Sequence, residues 1–187
     1  MGIRNQKIWF AGAMVWGFAE ATVFFIVPDL LLTGALILFG LSAALRMAGA
    51  AALAASLGGA ILLVLGAQDP ELARAIVLSV PLIGDDLLAR VQGEMLSGWP
   101  GHLMVGAISG APFKIYAVEA GATGVPALAF ILVGLVARFA RFCLLIGLFC
   151  GVGLILRRFG KAHWDWRFFT IFWGGLYLVY SSIRILA

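Results

Sequence analysis

The chain has 187 residues, 63% of them hydrophobic and only 12% charged, about half the roughly 25% charge of an ordinary soluble domain. With a mean hydropathy of +1.07, this composition argues against a soluble globular protein and for an integral membrane protein, one domain (1–187) of several spans. The net charge of +4 fits loop topology, and the basic residues are scattered with no aromatic-basic surface motif, so no nucleic-acid partner is expected.

The first apolar stretch, residues 8–45, is too long for one span of about 20 residues and contains Glu20, Pro28 and Asp29. Proline removes a backbone donor and disfavours helix at the residue before it. The pattern therefore predicts a helix, a break near Val27–Pro28, and then a re-entrant segment. Residues 47–67, MAGAAALAASLGGAILLVLGA, read as one transmembrane span rich in small residues, which let helices approach closely in lipid. Residues 69–98 mix charged and apolar side chains. Asp69-Pro70-Glu71 and Asp85-Asp86 each have the composition of a helix start. Leu87, Leu88, Val91 and Met95 share a face, and Arg90 and Glu94 are i,i+4 partners, so this part predicts interfacial amphipathic helices.

Residues 102–122 contain SGAPFKIYAVEAGA, in which a proline and Lys114 interrupt an apolar region. Gly110-Ala111-Pro112 predicts a break, Gly121 the turn out, and the whole a second re-entrant segment. Residues 126–156 read as a long transmembrane helix interrupted by Arg138 and Arg141, and residues 168–186 as a last span. Its Trp and Tyr residues, Trp173, Tyr177 and Tyr180, are most simply interfacial anchors. Basic segments favour the cytoplasm, which places the N-terminus (Arg4, Lys7) and the 157–167 loop inside. The last helix then carries the C-terminus out, although Arg184 opposes this. The apolar run after Lys7 is too long for the hydrophobic region of a cleavable signal. The expected fold is an all-α polytopic membrane protein with two re-entrant half-helices facing each other. FFIVPDLLLTGA and GAPFKIYAVEAGA each place Pro just before a charge and end in Gly-Ala, the trace of a pseudo inverted repeat.

Six charged residues fall in apolar surroundings: Glu20, Asp29, Lys114, Glu119, Arg138 and Arg141. Each costs from about 2.5 kcal/mol upward at membrane depth, and the sum would rival the stability of a whole fold. They must be paired, hydrated or protonated, and three acids against three bases favour pairing or a shared polar cavity. Other readings stay open: Arg138 and Arg141 snorkelling to a headgroup layer, Glu20 or Glu119 at an interface, Asp29 acting only as a cap. Cys143 and Cys150 are too far apart on a helix for a disulfide, and His102 and His163 show no metal-ligand spacing. No metal and no cofactor are expected.

Over roughly residues 15–155 the chain resembles the DedA family, also called the VTT or SNARE-associated Golgi family, and within it the small divergent bacterial branch. The matching pieces are GFAEATVFFIVPDLLLTGALILFG, GAPFKIYAVEAGA and LVARFARFCLLIG. Where the family commonly has GRFxPGxRT, this chain has GAISGAPFKIY, so the first arginine is absent. The resemblance implies movement of lipid. Bacterial members are implicated in returning undecaprenyl phosphate across the cytoplasmic membrane, coupled to the proton motive force, and eukaryotic relatives scramble phospholipids. It implies that Glu20 and Asp29 match functional acids, that Lys114 falls at a basic position, and that Arg138 and Arg141 match later arginines.

The expected function is a lipid transporter, flippase or scramblase in the bacterial inner membrane. Lys114, Arg138 and Arg141 would bind an anionic phosphate headgroup, while Glu20 and Asp29 exchange protons. Pro28, Pro112, Gly110 and Gly121 would be the structural breaks and Glu119 a secondary candidate. The partners are membrane lipids and protons, with homo-oligomer formation left open. One alternative is a scaffold or complex subunit whose charges only pair helices. A lipid-phosphate enzyme is disfavoured, because no Asp-rich metal motif, Ser-His-Asp set or Gly-x-Ser-x-Gly elbow occurs.

Overall fold

A computed structural model describes residues 3–81, 83–160 and 165–186. Lys161 and His163 of the 157–167 loop lie outside the described residues, as do the side chains of Arg4, Tyr180 and Arg184. The described residues form nine α-helices and no strand: α1 (Ile3–Thr22), α2 (Asp29–Phe39), α3 (Leu41–Gln68), α4 (Pro70–Leu78), α5 (Asp85–Leu96), α6 (Trp99–Ser109), α7 (Phe113–Ala122), α8 (Ala127–Arg158) and α9 (Asp165–Leu186). Helices α3 and α8, of 28 and 32 residues, are long and apolar enough to cross a membrane. At 1.5 Å per residue they span about 42 and 48 Å. Helix α3 is the hub, packed against α1, α2, α4, α7 and α8. By contrast α8 turns Leu128, Leu132, Val136, Leu144 and Leu148 outward, an apolar face of the kind that water does not tolerate uncovered.

Three boundaries differ from the sequence reading. The 8–45 stretch breaks twice, at residues 23–28 and again at Gly40 (φ 82°), whose N–H closes α2 on the Leu36 carbonyl. Helix α3 therefore begins at Leu41 rather than at 47. Residues 102–122 hold most of α6 and all of α7, because Gly110 (φ 93°) stops α6 in the left-handed region and Pro112 opens α7. Finally, Gly121 is not the turn out of α7. It lies inside the helix, and the left-handed residue is Gly124 (φ 71°). A Cβ on Gly121 would overlap the Leu63 carbonyl oxygen of α3, and one on Gly66 that of Val118, so these glycines permit close helix contact. At Gly110 a side chain would sit in the left-handed region at a cost of about 1–2 kcal/mol. Gly110→Ala is expected to lower thermal stability by about that amount, whereas Gly101→Ala, in open space on the same helix and with negative φ, leaves it unchanged or slightly higher.

Contacts along α3 set the directions. Gly17 meets Ala51 and Gly58 meets the Phe18 carbonyl, so α1 runs parallel to α3. Gly59 meets Phe113 and Gly66 meets Val118, so α7 does too, beside the second half of α3. Helix α8 is antiparallel, with Phe139 beside Gly49 and Gly134 beside Phe113. Helix α2 runs against α1, with Leu31 near Gly12 and Trp9 near Gly34. The two short helices α2 and α7 thus both start near the middle of the bundle and run to opposite ends. Each has its own apolar core: Leu32, Met47, Phe142 and Ile146 around α2, and Leu63, Val77, Ile115 and Phe130 around α7. Arg138 and Arg141 lie between these two cores along α8.

Candidate functional site

The site forms where the two short helices begin. Glu20, in the last turns of α1, pairs with Arg138 Nη1 of α8 at 2.5 Å, and both are nearly inaccessible. One turn further along α8, Arg141 Nη2 donates to Asp29 Oδ2 at 2.7 Å. Asp29 is the first residue of α2, where a carboxylate faces the positive end of the helix dipole. Phe113, the first residue of α7, is wedged between Gly59 and Gly134, where any Cβ would clash with its ring. Its ring stacks on Phe130, and the Arg138 guanidinium sits 4.4 Å from its centroid, a cation–π contact that orients the arginine.

Lys114 follows on α7, only 2% exposed. Its Nζ donates to the Phe24 carbonyl at 2.7 Å. That carbonyl lies in the 23–28 break, whose freed backbone groups need partners. Three different elements supply them: Lys114 to Phe24 O, Trp16 Nε1 to Ile26 O (2.9 Å), and the Val27 N–H to the Tyr177 hydroxyl (3.3 Å). Trp173 Nε1 donates to Thr33 Oγ1 (3.0 Å), and that hydroxyl donates to the Asp29 carbonyl. Trp16, Thr33, Trp173 and Tyr177 were not singled out as site residues by sequence. The i,i+4 spacing of Trp173 and Tyr177 on α9 is the signal that would have found two of them.

Glu20, Lys114, Arg138 and Arg141 line one cavity of ≈ 350 Å³, with Asp29 behind Arg141. Three cations against two carboxylates leave one positive charge, and Lys114 is the cation whose partner is a neutral carbonyl. Two buried polar atoms here, Asp29 Oδ1 and Arg138 Nε, have no hydrogen-bond partner among the described residues. Such orphans are uncommon in folded proteins and call for an explanation.

Glu119 lies elsewhere. It accepts from Arg74 Nε (2.7 Å) and Nη2 (2.9 Å) and from Gln92 (3.3 Å), tying α4 and α5 to α7. The pairing of the six apolar-region charges is therefore incomplete among themselves, since Glu119 takes a partner from α4. Next to it Tyr116 donates to Glu94, which also accepts from Arg90 at 2.8 Å. Burial pushes the Glu94 carboxyl up, but these two donors outweigh it and hold it below the usual carboxylate range. The bond to Glu119 raises Arg74. Cys143 and Cys150 are both free thiols. Among the described residues no three His, Cys, Asp or Glu side chains gather as metal ligands.

Comparison with models of protein families, with curated proteins and with solved structures gives no match to this chain.

Proposed function

We propose that the chain is a membrane lipid transporter that moves an anionic phosphate-headgroup lipid across the bacterial cytoplasmic membrane. The observation that carries this reading is the convergence of Glu20, Lys114, Arg138 and Arg141 on one cavity beside the start of α7, with Asp29, at the start of α2, paired to Arg141. Helix N-termini and a surplus cation together favour an anion. Arginine suits phosphate through its planar fork and lysine as a point charge. The apolar outer face of α8 supports placement in lipid.

In this reading α2 and α7 are re-entrant half-helices related by an inverted repeat, as in members of the DedA family. Lys7 and the Arg157–Arg158 pair lie at the same end of the bundle, because α1 is parallel and α8 antiparallel to α3. The excess of basic residues puts that end in the cytoplasm. A headgroup entering the cavity competes for Arg138 and Arg141. Glu20 or Asp29, losing its cation, then takes up a proton, and releasing the lipid returns it. This links lipid movement to protons without any cofactor.

The test is the purified chain in liposomes, with transfer of a labelled anionic lipid between leaflets as the readout. A hydrogen bond to a charged group is worth about 1.5–3 kcal/mol, so Lys114→Ala is expected to slow transfer about 10- to 100-fold. Transfer at the wild-type rate by a folded Lys114→Ala variant would remove the assignment.

A further inference from the structure

We infer that the apolar mouth of the cavity, flanked by α6 and α9, is a chain-binding subsite: it takes the hydrocarbon chain of an anionic amphiphile whose head sits at Lys114. The ligand then enters sideways from an apolar phase rather than from water. This inference rests on the transporter reading and adds to it the place of the chain and the route of entry.

The cavity has two unlike ends. Its floor is charged and closed, with Glu20, Lys114 and Arg138 all buried. Its other lining residues include Phe25, Ile108, Leu144 and Leu176, which are 41%, 68%, 59% and 44% exposed. A residue that both lines a cavity and meets the surface marks the mouth. All four are hydrocarbon, and the outer surface of the same helices continues apolar through Val105, Leu148 and Val179. A small hydrated anion crossing such a rim would shed water with little besides the partly exposed Arg141 to replace it. An amphiphile keeps its chain against the rim while its head reaches the floor.

Charge fixes where the head lies. Arg138 and Arg141 already hold carboxylates, whereas Lys114 holds a backbone carbonyl. An anion therefore meets least competition at Lys114, and from there reaches Arg138 or Arg141 only by displacing Glu20 or Asp29. Size fixes how much enters: ≈ 350 Å³ is near the lower end of ligand pockets, which run from about 300 to 1,000 Å³. It accommodates a head and the first part of a chain, and the remainder leaves through the mouth between α6 and α9.

The experiment uses the full chain in nanodiscs of zwitterionic lipid and two probes: inorganic phosphate, and dodecyl phosphate carrying a diazirine at the end of its chain. Photolysis is expected to label residues 103–108 and 172–177, and excess unlabelled dodecyl phosphate should abolish that labelling. Ile108→Trp and Ala107→Phe narrow the mouth and leave the charged floor intact. Each should weaken dodecyl phosphate binding about tenfold, the loss of roughly two buried methylenes, while inorganic phosphate, which has no chain, binds wild type and variants equally weakly. Labelling spread over the outer face of α3 and the 128–136 part of α8, away from Leu144, or both variants binding dodecyl phosphate like wild type, overturns the chain subsite and leaves the phosphate site standing. If the wild-type protein binds neither probe, the transporter reading falls and this inference falls with it.

Discussion

Arg138→Leu is expected to be the most damaging single substitution in the site, lowering stability by about 3–5 kcal/mol. Removing one partner of a buried ion pair leaves the other charge without compensation. Here that group is Glu20, whose side chain is 8% exposed and, among the described residues, ion-paired at 2.5 Å with Arg138, while Lys114 and Arg141 act on it only from farther off. The Phe113 ring also loses the guanidinium 4.4 Å above it. A Glu20→Leu/Arg138→Leu double variant should recover most of the loss, because two well-packed apolar residues replace a buried pair at little cost. Thermal unfolding of the three proteins measures this directly. The same pair separates transport from scaffolding. In Glu20→Arg/Arg138→Glu the pair is rebuilt with reversed polarity, so a purely structural role predicts recovery of both stability and function. A headgroup site predicts recovery of stability only, with lipid transfer staying lost. Full recovery of transfer in the reversed pair would favour the scaffold.

The second large effect is expected at Gly121. Overpacking in a filled interior costs about 1–3 kcal/mol even when side chains can yield. At Gly121 the obstacle is the main chain of α3, the Leu63 carbonyl and the Ala67 nitrogen, so yielding means separating two helices. Gly121→Val should therefore cost at least the upper part of that range. Under the proposed function it should also impair lipid transfer, because α7 carries Lys114 and Phe113. Gly147→Val, on α8 where nothing lies within 4 Å, is the control and should change little. Equal melting temperatures for the two variants would show that α3 and α7 are not locked together in this way.

How far the sequence can be read follows the range of each cause. The helical class is legible because composition and apolar run length are properties of short windows. Pro28 and Pro112 stand immediately before α2 and α7, and a proline acts within one or two residues of itself. Gly40 gives no such local sign. It is one of 24 glycines, and only its positive φ between α2 and α3 makes it a break. The same limit explains Gly121, whose task is set by a carbonyl on another helix. Glu20, Asp29, Lys114, Arg138 and Arg141 stand out because ionised groups are costly in apolar stretches. Which acid meets which base is another matter. Glu119 pairs with Arg74, 45 positions away on a short amphipathic helix where an arginine reads as an ordinary solvated residue. The aromatic donors that satisfy the 23–28 break were equally hidden, since an indole or phenol on an apolar helix looks like packing until a backbone group is found opposite it.

The opposed course of α2 and α7 has an electrical consequence. Each helix carries the equivalent of about half a positive charge at its start and half a negative charge at its end. Two such helices placed start to start nearly cancel as a dipole and add as a linear quadrupole, with its positive lobe at the level of Lys114 and Arg138. A quadrupole has no preferred direction along its axis. A uniform field applied along the bundle therefore has almost no interaction energy with the pair, and the attraction felt by an anion at the centre is the same for either polarity. In the proposed transport, any directionality comes from groups other than these two helices, which supply a well that is symmetric about its centre.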